Sequence, residues 1–209
     1  MKVLIFGSTG RTGRCLVGQA LEQGHEVTAF ARDPRKVRRR DERLRVVRGD
    51  VLDRASVDSW VQGQQVVLSA LGVRPWEPTT VFSEGIRNIL RAMEAHGVPR
   101  ILCVSVAGVL KEDAGSLLGN TLLRLSRLAL KGVYEGHRRQ LDEIRRSPLE
   151  WVVVRPVLLT NGPRTGKYRV VSEGIPRRGY WISRADLADF LLRQLTRDEY
   201  VHRLPAIAY

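Results

Sequence analysis

The chain has 209 residues, enough for one α/β domain with a full core. Its apolar share of 43% is that of an ordinary globular protein, and no run approaches the roughly 18 apolar residues of a membrane span. The net charge of +13 rests on 35 basic residues, only five of them lysine. A nucleic-acid surface is one reading of that charge, but no recognition helix or RNA-binding motif accompanies it, so arginine bias over a solvated surface is preferred. Nucleic acid is therefore not expected as a partner; a small-molecule substrate is expected, and no membrane.

The chain opens on KVLIFGSTGRTG, Lys2 to Gly13. Val3 to Phe6 is a short apolar run, as expected of a strand buried on both faces of a parallel sheet. Gly7, Gly10 and Gly13 follow at spacing three, and the spacing predicts a helix over 14–21. Strand, glycine turn and helix are the context that a dinucleotide fingerprint needs, although the spacing here is GxxGxxG and not GxGxxG. The first glycine permits a tight turn, the second lets backbone approach a pyrophosphate, and the third lets helix and strand pack closely. Ser8, Thr9 and Thr12 can add hydroxyl donors beside the free N–H groups of the helix start. This start leaves no room for a signal peptide. Cys15 and Cys103 read as buried thiols, not as a disulfide or metal pair, and imply a reducing cytoplasm.

Gly24 closes the first helix, and Glu26 to Phe30 is the second strand. About 20 residues into such a fingerprint an acidic residue binds the ribose of NAD. Here Arg32 holds that place, and the competitor Asp33 precedes Pro34, a pair that reads as a helix cap followed by a first-turn proline. Arg32, Arg35 and Lys36 surround the position of a 2′-phosphate, so NADPH is the expected cofactor over NADH. The arginines from Arg38 to Arg48 are expected mostly to face water. Leu44 to Val47 is a third strand. Asp50 at its end either accepts a hydrogen bond from an adenine amino group or caps the helix expected from Arg54 to Gln62.

Gln65 to Ala70 is a fourth strand ending in Leu71-Gly72. The loop VRPWEP then carries Arg74 and Trp76, the latter a stacking residue for a flat ligand or an apolar lid. A helix is expected from Thr79, with Val81, Phe82, Ile86, Ile89, Leu90 and Met93 on one face and a stop at Gly97. Arg100 to Ser105 is a fifth strand, with Ser105 placed to touch a nicotinamide or a substrate oxygen. Val106 to Leu130 reads as a leucine-rich, glycine-interrupted substrate wall. A helix over 134–146, a strand over 151–154, a glycine-rich return through TGKYRV, a helix over 184–195 and an extended piece over 202–208 complete the chain. Strands and helices alternate without repeat or linker, which predicts a single α/β domain over 1–209, a Rossmann-like doubly wound parallel sheet.

With these segments in place, the chain resembles the atypical short-chain dehydrogenase/reductase family, and within it the NADPH-dependent flavin and biliverdin reductases. IFGSTGRTG, ARDPRK, RGDVLD, CVSVAG, WVVVRP and ISRADLADFLLRQLTRDEY carry the resemblance, and LGVRPWEPTTVFSEGIRNILRAMEAHGV is its most specific stretch. The resemblance implies a pyrophosphate on Gly10, Arg11, Thr12 and Gly13, with Gly7 and Thr9 also cofactor-binding, and a 2′-phosphate on Arg32 and Lys36. It further implies adenine against Asp50 and Val51, the ribose side against Leu71, Gly72 and Arg74, and Ser105 beside the nicotinamide as the catalytic residue. Trp76 and Leu158 would belong to the substrate pocket, and no metal is implied. Two departures stand out. Leu158 occupies a place where these reductases can carry a histidine, and Tyr134-x-x-x-Arg138 stands where a Tyr-x-x-x-Lys pair would reduce carbonyls. His137, alone on a charged helix, is expected to be solvated. The implied activity is hydride transfer to flavins or flat tetrapyrroles, with an NADP(H)-binding redox sensor as the alternative.

Overall fold

The computed structural model describes residues 1–73, 79–110, 112–113 and 116–209. A parallel sheet forms first from β1 (Lys2–Phe6), β2 (Glu26–Ala31), β3 (Leu44–Arg48) and β4 (Val66–Ser69), then β5 (Arg100–Val104) and β6 (Glu150–Pro156). Their spatial order is β3-β2-β1-β4-β5-β6. The chain therefore reverses its winding direction between β1 and β4, where open α/β sheets bind ligands beyond the carboxyl ends of their strands.

Helices cover both faces. On one lie α1 (Arg11–Glu22) and α6 (Arg184–Arg193), and on the other α2 (Arg54–Val61), α3 (Glu84–Ala95) and α5 (Lys131–Arg146). Alternate residues of β1 divide between the two cores: Val3 and Ile5 join the α1/α6 side, Leu4 and Phe6 the other. A strand buried on both sides needs the continuous apolar run that VLIF supplies. On α3, Ile86, Ile89, Leu90 and Met93 are all buried, as their helical spacing requires.

The expected doubly wound parallel architecture is present, with several changes in detail. Helix α1 starts at Arg11, three residues earlier than expected. Thr79–Phe82 is a 3-10 turn, and the helix proper starts at Glu84. The span read as a substrate wall contains α4 (Leu117–Ala129), whose Ser116 hydroxyl accepts the Gly119 N–H at 3.1 Å. The last extended piece is only β10 (Ala206–Ala208), which is parallel to β6 and antiparallel to β8 (Arg169–Val171). A second small sheet pairs β7 (Leu158–Thr160) with β9 (Trp181–Ser183). No described helix is long and apolar enough to cross a membrane.

Candidate cofactor and substrate site

The glycine turn after β1 is a tight cradle. Gly7 has φ +75°, and a Cβ there would lie 2.3 Å from the Ala70 carbonyl oxygen at the end of β4. A Cβ on Gly13 would lie 2.1 Å from the Gly7 oxygen, so any side chain would force α1 away from β1. A Cβ on Gly10 would meet only the Gly7 oxygen, at 3.2 Å, leaving the outer side of the turn open. Gly10 begins α1 without a side-chain cap, and the first turn has no acid. The turn thus presents unpartnered N–H groups and the positive end of the helix dipole. These features fit a dinucleotide pyrophosphate, with Gly10, Arg11, Thr12 and Gly13 at the mouth. Thr9 flanks the turn. Ser8 does not add a hydroxyl donor: it is buried, and its Oγ donates to the Phe30 carbonyl at 2.8 Å, tying the turn to the end of β2.

Arg32 follows β2 directly and is exposed, as is Lys36, and neither has an ion-pair partner among the described residues. Asp33 is occupied. It caps the 3-10 turn Pro34–Lys36, accepting the Arg35 N–H at 3.2 Å and the Arg35 Nε at 2.9 Å. The Arg35 side chain holds the Asp33 carboxyl below its ordinary range, so the one nearby acid is neutralised locally. Val37, Arg38 and Arg39 fold back to line a recess with Ser8, Arg14 and Val17. Arg14, Arg38 and Arg39 are site candidates that the sequence reading missed. The only signal for the last two was their place just after the 2′-phosphate segment. Two later arginines have structural roles: Arg43 pairs with Asp41, and Arg45 stacks on Trp60 at 4.6 Å from the ring centre.

Asp50 does not cap α2. Asp53 does, accepting the Ala55 N–H at 3.1 Å, whereas Asp50 accepts the Leu52 N–H at 3.0 Å. Three residues of offset separate the two aspartates, and only Asp53 precedes the first helical residue. Val51 is buried, and its carbonyl accepts the Asn88 amide at 3.0 Å. Leu71 packs partly on the core, and Gly72 is exposed at the end of β4. Arg74 and Trp76 lie outside the described residues.

Ser105 directly follows β5 and is 4% exposed. Its backbone N–H bonds the Val154 carbonyl at 2.8 Å, while its Oγ is buried with no partner among the described residues. Such an orphaned hydroxyl is costly unless a ligand or water satisfies it. Beyond it, Leu158 is 72% exposed and stands opposite Trp181 in the β7–β9 ladder, with Trp181 51% exposed. The Tyr180 ring adjoins Trp181 at 6.3 Å between centres. Trp181 is a further residue that the sequence reading did not single out, because only the β7–β9 pairing brings it beside Leu158.

His137 corrects the expectation of a solvated side chain. It is buried against Phe82, with ring centres 4.2 Å apart, and its Nδ1 lies 2.7 Å from Gln140 Oε1. Gln140 Nε2 in turn donates to the Val104 carbonyl, so the neutral ring donates from Nδ1. Burial pushes the His137 pKa down to about 4. The helix is charged on its outer face, but this position points inward. Tyr134 Oη is 2.9 Å from Ser126 Oγ and donates to the Ala107 carbonyl at 3.3 Å. The Tyr134 hydroxyl is thus engaged within the chain. Cys15 and Cys103 are free thiols, and no group of three or more metal-ligating side chains occurs among the described residues.

The strand order and the glycine cradle define a dinucleotide-binding Rossmann domain. A family model described as NAD(P)H-binding matches residues 7–198, and the chain belongs to that family. An uncharacterised chloroplastic protein of Arabidopsis thaliana is 31% identical over 207 residues, covering 95% of this chain and 73% of that protein. A short-chain dehydrogenase/reductase of Veillonella parvula, solved in complex with NADP, superposes with a TM-score of 0.80 at 18% identity, over 100% of this chain and 94% of that one. An anaerobilin reductase from Escherichia coli O157:H7 superposes at 0.82 with 18% identity, over 100% and 97%. The fold shared with the short-chain dehydrogenases/reductases is thus established, and the chain is an NAD(P)H-binding protein of that architecture.

Proposed function

We propose that the chain is an NADPH-dependent reductase that passes hydride to flavins or to other flat conjugated acceptors such as biliverdin. One observation carries the acceptor class: the exposed Leu158–Trp181 pair, an apolar aromatic platform beyond Ser105 at the carboxyl end of the sheet. Bound NADPH would supply the hydride. Arg32 and Lys36 grip the 2′-phosphate, and Gly10 to Gly13 hold the pyrophosphate. Asp50, Val51, Leu71 and Gly72 line the adenine and ribose side, and Arg74 and Trp76 are assigned to the same crevice on sequence grounds. Ser105 donates its free hydroxyl to the nicotinamide carboxamide or to an acceptor oxygen, orienting one ring over the other. Leu158 and Trp181 stack the acceptor and exclude water from one of its faces.

A protein acid is not required. The reduced ring system takes its proton from solvent, since Tyr134 is engaged by Ser126 and Ala107 and His137 is buried. The engagement of Tyr134 and the burial of His137 also favour, as a second reading, a sensor that holds NADP(H) with little turnover. The test mixes purified protein with NADPH and FMN, riboflavin, biliverdin or a quinone and follows loss of nicotinamide absorbance. Turnover with at least one acceptor is expected. Tight NADPH binding with negligible turnover across the panel would establish the sensor instead.

A further inference from the structure

We infer that the outer face of α4 docks on an anionic lipid bilayer. At 100° per residue, Leu117, Leu128, Thr121, Leu125, Leu118, Ala129 and Leu122 fill one uninterrupted arc of about 140°. All seven are exposed, Leu117 at 90% and Leu128 at 78%. An apolar stripe of this width normally faces a core. Here the core is on the other side of the helix. Gly119 is buried there, Ser126 meets Tyr134, and the Arg127 Nε donates to the Gly108 carbonyl at 2.9 Å. The leucine arc therefore has no partner among the described residues.

Charge selects the occupant. From Ser116 to Tyr134 the chain carries Arg124, Arg127 and Lys131 and no acidic residue. Of the acids beside the helix, Glu112 pairs with the buried Arg155 and Asp113 accepts from the Asn120 amide at 2.7 Å, while Glu135 lies 3.9 Å from the exposed Lys131. A second copy seated on this face would set Arg124 and Lys131 against the same two cations, with no acid in either segment from Ser116 to Tyr134. Anionic headgroups meet the same cations favourably, and the leucines enter the acyl boundary, the balance that holds amphipathic helices in an interface plane. The chain's net charge of +13 adds long-range attraction to such a surface.

The experiment is co-sedimentation of the full chain with vesicles of phosphatidylcholine alone and with a minority of phosphatidylglycerol. The parent should partition onto the anionic vesicles and only weakly onto neutral ones. Raising salt from ~0.1 M to ~1 M, which shortens the screening length from about 10 Å to about 3 Å, should release much of it. The triple variant Leu117→Ser/Leu125→Ser/Leu128→Ser should bind at least about tenfold more weakly, given the transfer energy of exposed leucines, while NADPH binding is retained. Lys131→Glu should weaken binding to the anionic vesicles alone. A parent that ignores anionic vesicles overturns the inference, as does a serine variant that binds as well as the parent. A parent that ignores vesicles but sediments as a dimer, which the serine variant dissociates, would assign the face to a second copy. None of these outcomes depends on the acceptor, so they stand or fall apart from the reductase reading.

Discussion

At the scale of single residues, cofactor choice rests on Arg32 and Lys36. Replacing both with alanine should weaken NADPH binding at least tenfold, since each charge-assisted hydrogen bond is worth roughly 1.5–3 kcal/mol. NADH binding should change little, and equal losses measured by fluorescence titration would put the 2′-phosphate elsewhere. His137 gives a stability prediction with a definite sign. Unfolded, it takes a proton near pH 6.5; folded, burial delays protonation to about pH 4. Between those values the unfolded state binds the extra proton, so stability rises with pH across the window and is lost on acidification. The full contribution is roughly 3 kcal/mol. Urea midpoints of His137→Leu should be flatter than those of the parent from pH 6.5 to 4. The same burial means that parent turnover should show no step near pH 6.5. Leu158→His places an exposed imidazole on the acceptor platform and should introduce that step with a bilin more than with a flavin. A parent step that His137→Ala abolishes would make His137 the working acid.

At the scale of elements, the start of α6 is held by a cluster of hydrogen bonds. Asp186 is fully buried and accepts from the Thr165 and Gly166 N–H groups and from Thr165 Oγ1, all at 2.8 Å, and from Tyr209 Oη at 2.6 Å. Burial by itself would raise its pKa, but these donors, Tyr209 first, hold it below the ordinary carboxylate range. Asp186→Ala leaves several buried donors unpaired and should lower stability by at least about 2 kcal/mol, whereas Tyr209→Phe should cost about 1 kcal/mol more mildly; chemical denaturation of the two variants checks the order. Sequence patterns revealed β1, α1, α3 and the glycine cradle because each has a local signature. The β7–β9 platform and the buried face of His137 lack one, since both arise from residues brought together across the chain. Helix α4 escaped detection for a different reason: its leucine stripe has the width that normally faces a core, yet it faces outward.

At the scale of the whole molecule, the doubly wound parallel sheet was readable from alternating apolar runs and glycine-terminated helices, since a parallel sheet imposes both. The identity of the acceptor was not, because a flat ligand demands surface more than particular side chains. The basic excess behaves likewise. It is spread over a capped turn, a stacked Arg45 and the recess at Arg38 and Arg39, so no single linear motif announces it.

The insertion of β10 between β6 and β8 sets an order on biosynthesis. Ribosomes release β8 before the strand that joins it to the sheet, so β6 must wait with an open edge while α6 is made. Unpaired edges recruit other strands. The nascent chain is therefore most prone to misassociation late in translation, when nearly all of its core residues have already emerged. A pause between Arg193 and Ala206 would prolong that hazard and should raise the insoluble fraction on expression.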